Sequence, residues 1–228
     1  MTSNRKNRRK FLGLSAATVG TVLLSQKVAM PADNPLSNDK IKIIALNGSP
    51  RRDKTTAQGL KMVLEAAKAV DPERIETELV HLVDYRLFDS ERVLGEQATK
   101  PATGDIIKLE DQFRAANVKG IIVGSPVFNS MMSLFVVALF SQIDHALLQG
   151  KTGGALAVGG ARNGGQESVV QGINTYLMHE GVILPGTGSA GRIGALCWNQ
   201  NDSLDQDDLG KKLAESLGQR VAQTALRQ

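Results

Sequence analysis

The segment from Ile41 to Ala57, IKIIALNGSPRRDKTTA, is an apolar run that stops in a short loop rich in hydroxyls and positive charge. Residue types in this order suit anion binding. Backbone N–H groups at the start of a helix lack intrahelical acceptors, and the helix dipole favours negative charge beside them. Gly48 permits a tight turn, Ser49, Thr55 and Thr56 offer hydroxyl donors, and Arg51 brings a charge that does not titrate away. Arg52 is read as a solvated turn residue. A phosphate is the natural guest. A plain strand-to-helix turn that binds nothing is the alternative reading of the same residues.

Two later segments have a similar form. Val118 to Gly124 is a β-branched run that ends in Ser125-Pro126-Val127-Phe128-Asn129-Ser130, and Gly154 to Gly160 ends in the Gly-rich stretch Ala161 to Gly165. The elements needed to hold these loops follow from periodicity. Leu60, Val63, Leu64 and Ala67 recur at helical spacing, as do Ile106, Leu109 and Phe113, then Val169, Val170, Ile173, Tyr176 and Leu177, and finally Leu209, Leu213, Leu217 and Val221. Strands are predicted at Ile41 to Asn47, Ile75 to Val83, Val118 to Gly124, Gly154 to Gly160 and Val182 to Leu184. The segment MMSLFVVALFSQIDHALL, from Met131 to Leu148, reads as one helix apolar nearly all round, which predicts cover by a second subunit and hence a homodimer or higher homo-oligomer. Asp84 to Gly104 is a polar excursion that fits a lid or partner surface.

Strand and helix alternate five times, which demands a parallel sheet covered on both faces. Ligands of such α/β folds sit beyond the carboxyl ends of the strands. The three loops are thereby brought to one edge.

Composition removes several other functions. Six of the 27 basic residues and none of the 23 acidic ones lie in residues 1–32, so residues 33–228 carry 21 basic against 23 acidic groups. The excess positive charge belongs to the N-terminus, and no basic stripe with interleaved aromatics suggests nucleic-acid binding. Cys197 is the only cysteine, and His81, His145 and His179 are scattered, so neither a thiolate metal site nor a histidine-based one is expected. Residues 1–32 read as a leader, 33–39 as a linker and 40–228 as one domain. Within the leader, Arg8-Arg9-Lys10-Phe11-Leu12 precedes an uncharged run to Leu24 and resembles a twin-arginine export signal. That resemblance implies the export machinery as a partner, and either a periplasmic location or anchorage on the outer face of the membrane.

Three motifs together resemble the NADPH-dependent FMN reductase-like group of flavodoxin-fold proteins. They are Gly48-Ser49-Pro50-Arg51 with Thr55-Thr56-Ala57, Gly124 to Ser133, and Gly159 to Glu167. The resemblance implies a flavodoxin-like three-layer α/β fold, with a five-stranded parallel sheet of order 2-1-3-4-5, and bound FMN. It implies that Ser49, Arg51, Thr55 and Thr56 hold the 5′-phosphate and that Ser125, Pro126, Val127, Phe128 and Asn129 lie along the isoalloxazine, where backbone N–H groups tune the flavin. Gly160, Arg162 and Gly165 would approach the pyrimidine edge, and NAD(P)H is the implied electron donor. Two features depart from the group: no cysteine cluster lies in residues 84–104, and Phe135 to Leu139 stand where a basic residue is common.

The implied activity is an oxidoreductase that takes electrons onto flavin N5 and delivers them to a quinone, a flavin or another small acceptor. A flavodoxin-like electron carrier without small-molecule turnover is the alternative. Hydride transfer to a flavin needs no side-chain acid or base, so no catalytic residue is assigned.

Overall fold

The computed structural model describes residues 39–87, 104–190 and 192–228. The expected leader, the linker up to residue 38 and residues 88–103 of the polar excursion lie outside the described residues. Among the described residues five strands, β1 (Ile41–Asn47), β2 (Ile75–His81), β3 (Val118–Pro126), β4 (Thr152–Gly159) and β5 (Ala195–Trp198), alternate with five helices. The helices are α1 (Thr55–Lys68), α2 (Gly104–Arg114), α3 (Leu134–Phe140), α4 (Gln166–His179) and α5 (Asp208–Ala225). The strands form one sheet in the order β2-β1-β3-β4-β5, and every pairing is parallel. This is the flavodoxin-like order.

Helices cover both faces, so the central strands are apolar throughout instead of alternating. β4 is buried at all eight residues, and β1 at every residue except Lys42. Neighbouring residues of β4 show the two faces. A Cβ on Gly154 would lie 2.7 Å from Leu217 of α5, whereas one on Gly153 would meet Val182 at 2.8 Å on the other side. α1 and α5 share a face, with Gly218 pressed against the backbone of Val63.

Two segments differ from the sequence reading. The fifth strand is Ala195–Trp198, which pairs with Leu156–Gly159. Val182 to Leu184 makes only an isolated bridge, Ile183 to Thr152, because Pro185 follows it and has no N–H with which to extend a ladder. The apolar segment from Met131 to Leu148 is not one helix. α3 has seven residues and ends at Ser141, and a single 3₁₀ turn at His145–Leu147 follows. Polar side chains break the run by bonding to the backbone locally. Ser141 Oγ donates to the Ala138 carbonyl, and Asp144 Oδ1 accepts from the Ala146 amide. Val136, Ala138, Leu139 and Phe140 turn inward, while Leu134 and Val137 stay exposed.

Candidate functional site

The carboxyl ends of β1, β3, β4 and β5 carry four loops, each folded around a buried polar side chain. In the loop from β1 to α1 that side chain is Asn47, which is fully buried. Its Oδ1 accepts the Ser49 amide at 3.0 Å, and its Nδ2 donates to the Arg52 carbonyl and to His81 Nδ1, each at 2.9 Å. Ser49 Oγ accepts the Arg51 amide at 3.1 Å. These bonds curl residues 48–52 so that the chain enters α1 at Thr55.

The start of α1 has no side-chain cap. Lys54 occupies the N-cap position, and its side chain makes no capping bond. The amides of Thr55, Thr56 and Ala57 therefore have no acceptor within the helix. Thr55 and Thr56, the first two residues of the helix, are almost wholly buried. Three amides without an intrahelical acceptor, beside two buried threonines, thus stand at the positive end of a 14-residue helix. Arg51 and Lys54 flank it, and both are paired with Asp202, at 2.8 Å and 3.3 Å. These two cations hold the Asp202 carboxyl below its ordinary range. Arg52 turns the other way and pairs with Asp84, just past β2.

The loop after β3 is locked to the first by Ser133. Its Oγ donates to the Gly48 carbonyl at 2.5 Å and caps α3 by accepting the Val136 amide, while its own amide donates to Ser125 Oγ at 2.9 Å. Ser125 also donates to the Pro126 carbonyl. The Val127 amide bonds to the Val158 carbonyl, and Phe128 and Met131 exchange backbone bonds, all at 2.9 Å. Asn129 and Ser130, with φ of 50° and 64°, form the tip of this two-residue turn. The amides of Val127 and Phe128 are consequently committed to carbonyls. Pro126 is half-buried, and Phe128 lies at the surface, half exposed.

The loop after β4 is organised by Gln166. Its Oε1 accepts the Gly164 amide, and its Nε2 donates to the carbonyls of Ala161 and Cys197. Gly165 is left-handed, with φ of 93°, and a Cβ there would lie 2.7 Å from Ser130 Oγ, so the second and third loops meet. Gly160 faces open space. Arg162, expected to approach a pyrimidine edge, lies in this loop. Its guanidinium pairs with the buried Asp207 and lies 5.4 Å from the centre of the Trp198 ring. Asp207 also caps α5 through the Gly210 amide and accepts the Trp198 amide, so Arg162 ties this loop to the exit of β5.

Sequence reasoning placed the residues of three loops at one edge, and the structure brings them there. It missed Asn47, His81, Ser133, Gln166 and the two acids beyond β5, Asp202 and Asp207. A polar residue closing an apolar strand was the available signal for Asn47. Nothing local could link Arg51 to Asp202, which is 151 residues away.

Residues 41–193 match the family model described as NADPH-dependent FMN reductase. An iron-sulfur flavoprotein of Methanocaldococcus jannaschii is 33% identical over 191 residues, covering 80% of this chain and 96% of that protein. One of Methanosarcina thermophila is 29% identical over 189 residues, covering 79% and 93%. Among solved structures, the apo form of an NADH:FMN oxidoreductase, EmoB, superposes with a TM-score of 0.60 at 21% identity, over 81% of this chain and 90% of that one. RosB with a bound intermediate superposes at 0.61 and 18% identity, over 81% and 79%. The chain belongs to the NADPH-dependent FMN reductase family. Its residues fit the phosphate-bearing end of FMN at the uncapped start of α1. They do not fit an iron-sulfur cluster held by several thiolates, because Cys197 stands alone in the sequence. Burial, reinforced by Asp207, pushes its thiol up to about 12.

Replacing Ser133 with alanine leaves the buried Gly48 carbonyl without its side-chain donor and α3 without its cap. The expected loss of stability is about 2 to 4 kcal/mol, read from the shift of the urea unfolding midpoint at constant slope. An unchanged midpoint would show that Ser133 does not hold the two loops together.

Proposed function

We propose that the protein is an FMN-dependent oxidoreductase that accepts electrons from a nicotinamide donor and passes them to a quinone, a flavin or another small acceptor. The observation that carries this reading is the start of α1, where the buried Thr55 and Thr56 and the first amides of the helix stand without a side-chain cap. Bound there, FMN would supply the redox chemistry, accepting a hydride equivalent and returning electrons to the acceptor. The protein's part is to bind and orient. Thr55, Thr56 and the amides of residues 55–57 would hold the phosphate, with Arg51 and Lys54 supplying positive charge beside it. Ser49 shapes the turn by accepting the Arg51 amide, which supports a role in the cradle rather than as a direct ligand. The free tip at Asn129 and Ser130, the open side of Gly160 and the bend at Gly165 would border the ring system, where close approach of backbone is needed.

We also read the paired Arg8 and Arg9 as an export address. Soluble NADPH is expected on the cytoplasmic side, so either the physiological donor of the exported protein is not NADPH or export is incomplete.

The first test is the visible spectrum of the purified full-length chain, followed by NADH or NADPH added without oxygen. Flavin absorbance that bleaches with either nucleotide is expected. A flavin reduced only by one-electron donors would favour the carrier, and a chain that takes up no FMN would end both readings. For the leader, replacing Arg8 and Arg9 with lysine should make the protein accumulate in the cytoplasm. Unchanged distribution between compartments would refute the address.

A further inference from the structure

We propose that His81 is a positioning residue for the phosphate loop, and that its protonation releases the loop and with it the bound phosphate group. The inference rests on the phosphate being held at the start of α1, as proposed above. His81 closes β2 and is joined to the loop through Asn47.

The hydrogen bonds leave one arrangement of protons. The Ser49 amide can only donate, so the Asn47 atom facing it must be the carbonyl oxygen. The Arg52 carbonyl can only accept, so the atom facing it must be the amide nitrogen. That same nitrogen lies 2.9 Å from His81 Nδ1. Nδ1 therefore accepts, and the closed loop requires a neutral imidazole with its proton on Nε2. A proton on Nδ1 would set donor against donor at a buried position. Asn47 would have to leave, and the bonds that hold Ser49 and the Arg52 carbonyl would go with it.

The surroundings act in the same direction. His81 is held below its ordinary pKa of 6.5, first by burial and then by Arg52 of the loop, with Lys61 of α1 adding to the effect. Asp53 of the loop and Asp84 of the turn after β2 oppose it without reversing it. In an open loop His81 regains its ordinary pKa, so opening is accompanied by proton uptake. Hence the closed loop keeps its full stability above about pH 6.5 and loses it as the pH falls. Arg52, whose guanidinium pairs with Asp84, supplies a second link between the loop and the exit of β2.

Two variants of the full-length protein separate positioning from simple packing. His81→Asn places an amide oxygen where Nδ1 stood and cannot be protonated, whereas His81→Ala removes the acceptor at every pH. The first readout needs no flavin: exchange protection of the Ser49 and Arg51 amides, followed by NMR from pH 7.5 to 5 and corrected for intrinsic rates. Protection should fall below pH 6.5 in the natural protein by about tenfold per pH unit at most, stay level in His81→Asn, and be low throughout in His81→Ala. Parallel profiles in the natural protein and His81→Asn would overturn the proposal, with or without flavin.

The second readout is the FMN dissociation constant over the same range. The second proton of the FMN phosphate, near pH ~6, affects all three proteins alike. The natural protein should lose about tenfold more affinity than His81→Asn by pH 5. Equal losses would count against the proposal. Failure of every protein to bind FMN at pH 7.5 would instead refute the flavin reading, and the exchange profiles would still decide the role of His81.

Discussion

The carboxamide of Asn47 is the bond on which the site depends. A parallel strand that runs into a helix ends in backbone groups that nothing in the sheet can satisfy. In this chain one buried side chain at the end of β1 satisfies the Ser49 amide and the Arg52 carbonyl together, and it is held in turn by His81. The loop is thereby shaped from within, without using the amides at the start of α1. Those groups are left without a side-chain cap. The same device recurs at each neighbouring strand end, with Ser133 joining the first two loops, Gln166 folding the third and Asp207 fixing the turn into α5. Preorganisation of this kind lowers the ordering cost of binding, because the cradle exists before a ligand arrives.

Much of this architecture was legible. Continuous apolar runs alternating with helical periods require a doubly covered parallel sheet, and the order 2-1-3-4-5 followed from the three loop motifs. The first strand, loop and helix were read in their right order and place, because Gly48 and the hydroxyl cluster punctuate them sharply. Two errors had a common cause, namely that hydrophobicity was weighed without hydrogen bonding. Val182 to Leu184 is as apolar as Ala195–Trp198, but Pro185 bars the former from a ladder that the latter joins. The segment from Met131 to Leu148 is apolar enough for a long helix, yet Ser141 and Asp144 divide it. Contacts such as Arg51 with Asp202 and Arg162 with Asp207 join distant parts of the chain, and no local pattern announces them.

The archaeal relatives are named iron-sulfur flavoproteins, and this chain keeps the features of a flavin site while lacking the thiols for a cluster. Its one cysteine is walled into β5, where burial disfavours the thiolate. No cluster held by several of its own cysteines is therefore available to relay electrons between a bound flavin and its partners. The loops at the sheet edge, with Gly160 open on one side and the turn at Asn129 and Ser130 exposed on the other, are where such partners would gain access.

The central claim is that the start of α1 recognises a phosphate, and comparison of FMN with riboflavin tests it most directly. The two share the ring and differ in the phosphate alone. Two charge-assisted bonds at about 1.5 to 3 kcal/mol each give FMN an advantage of at least ~100-fold in equilibrium dialysis against the full-length protein at pH 7.5. Equal affinity for the two flavins would contradict the assignment of the loop.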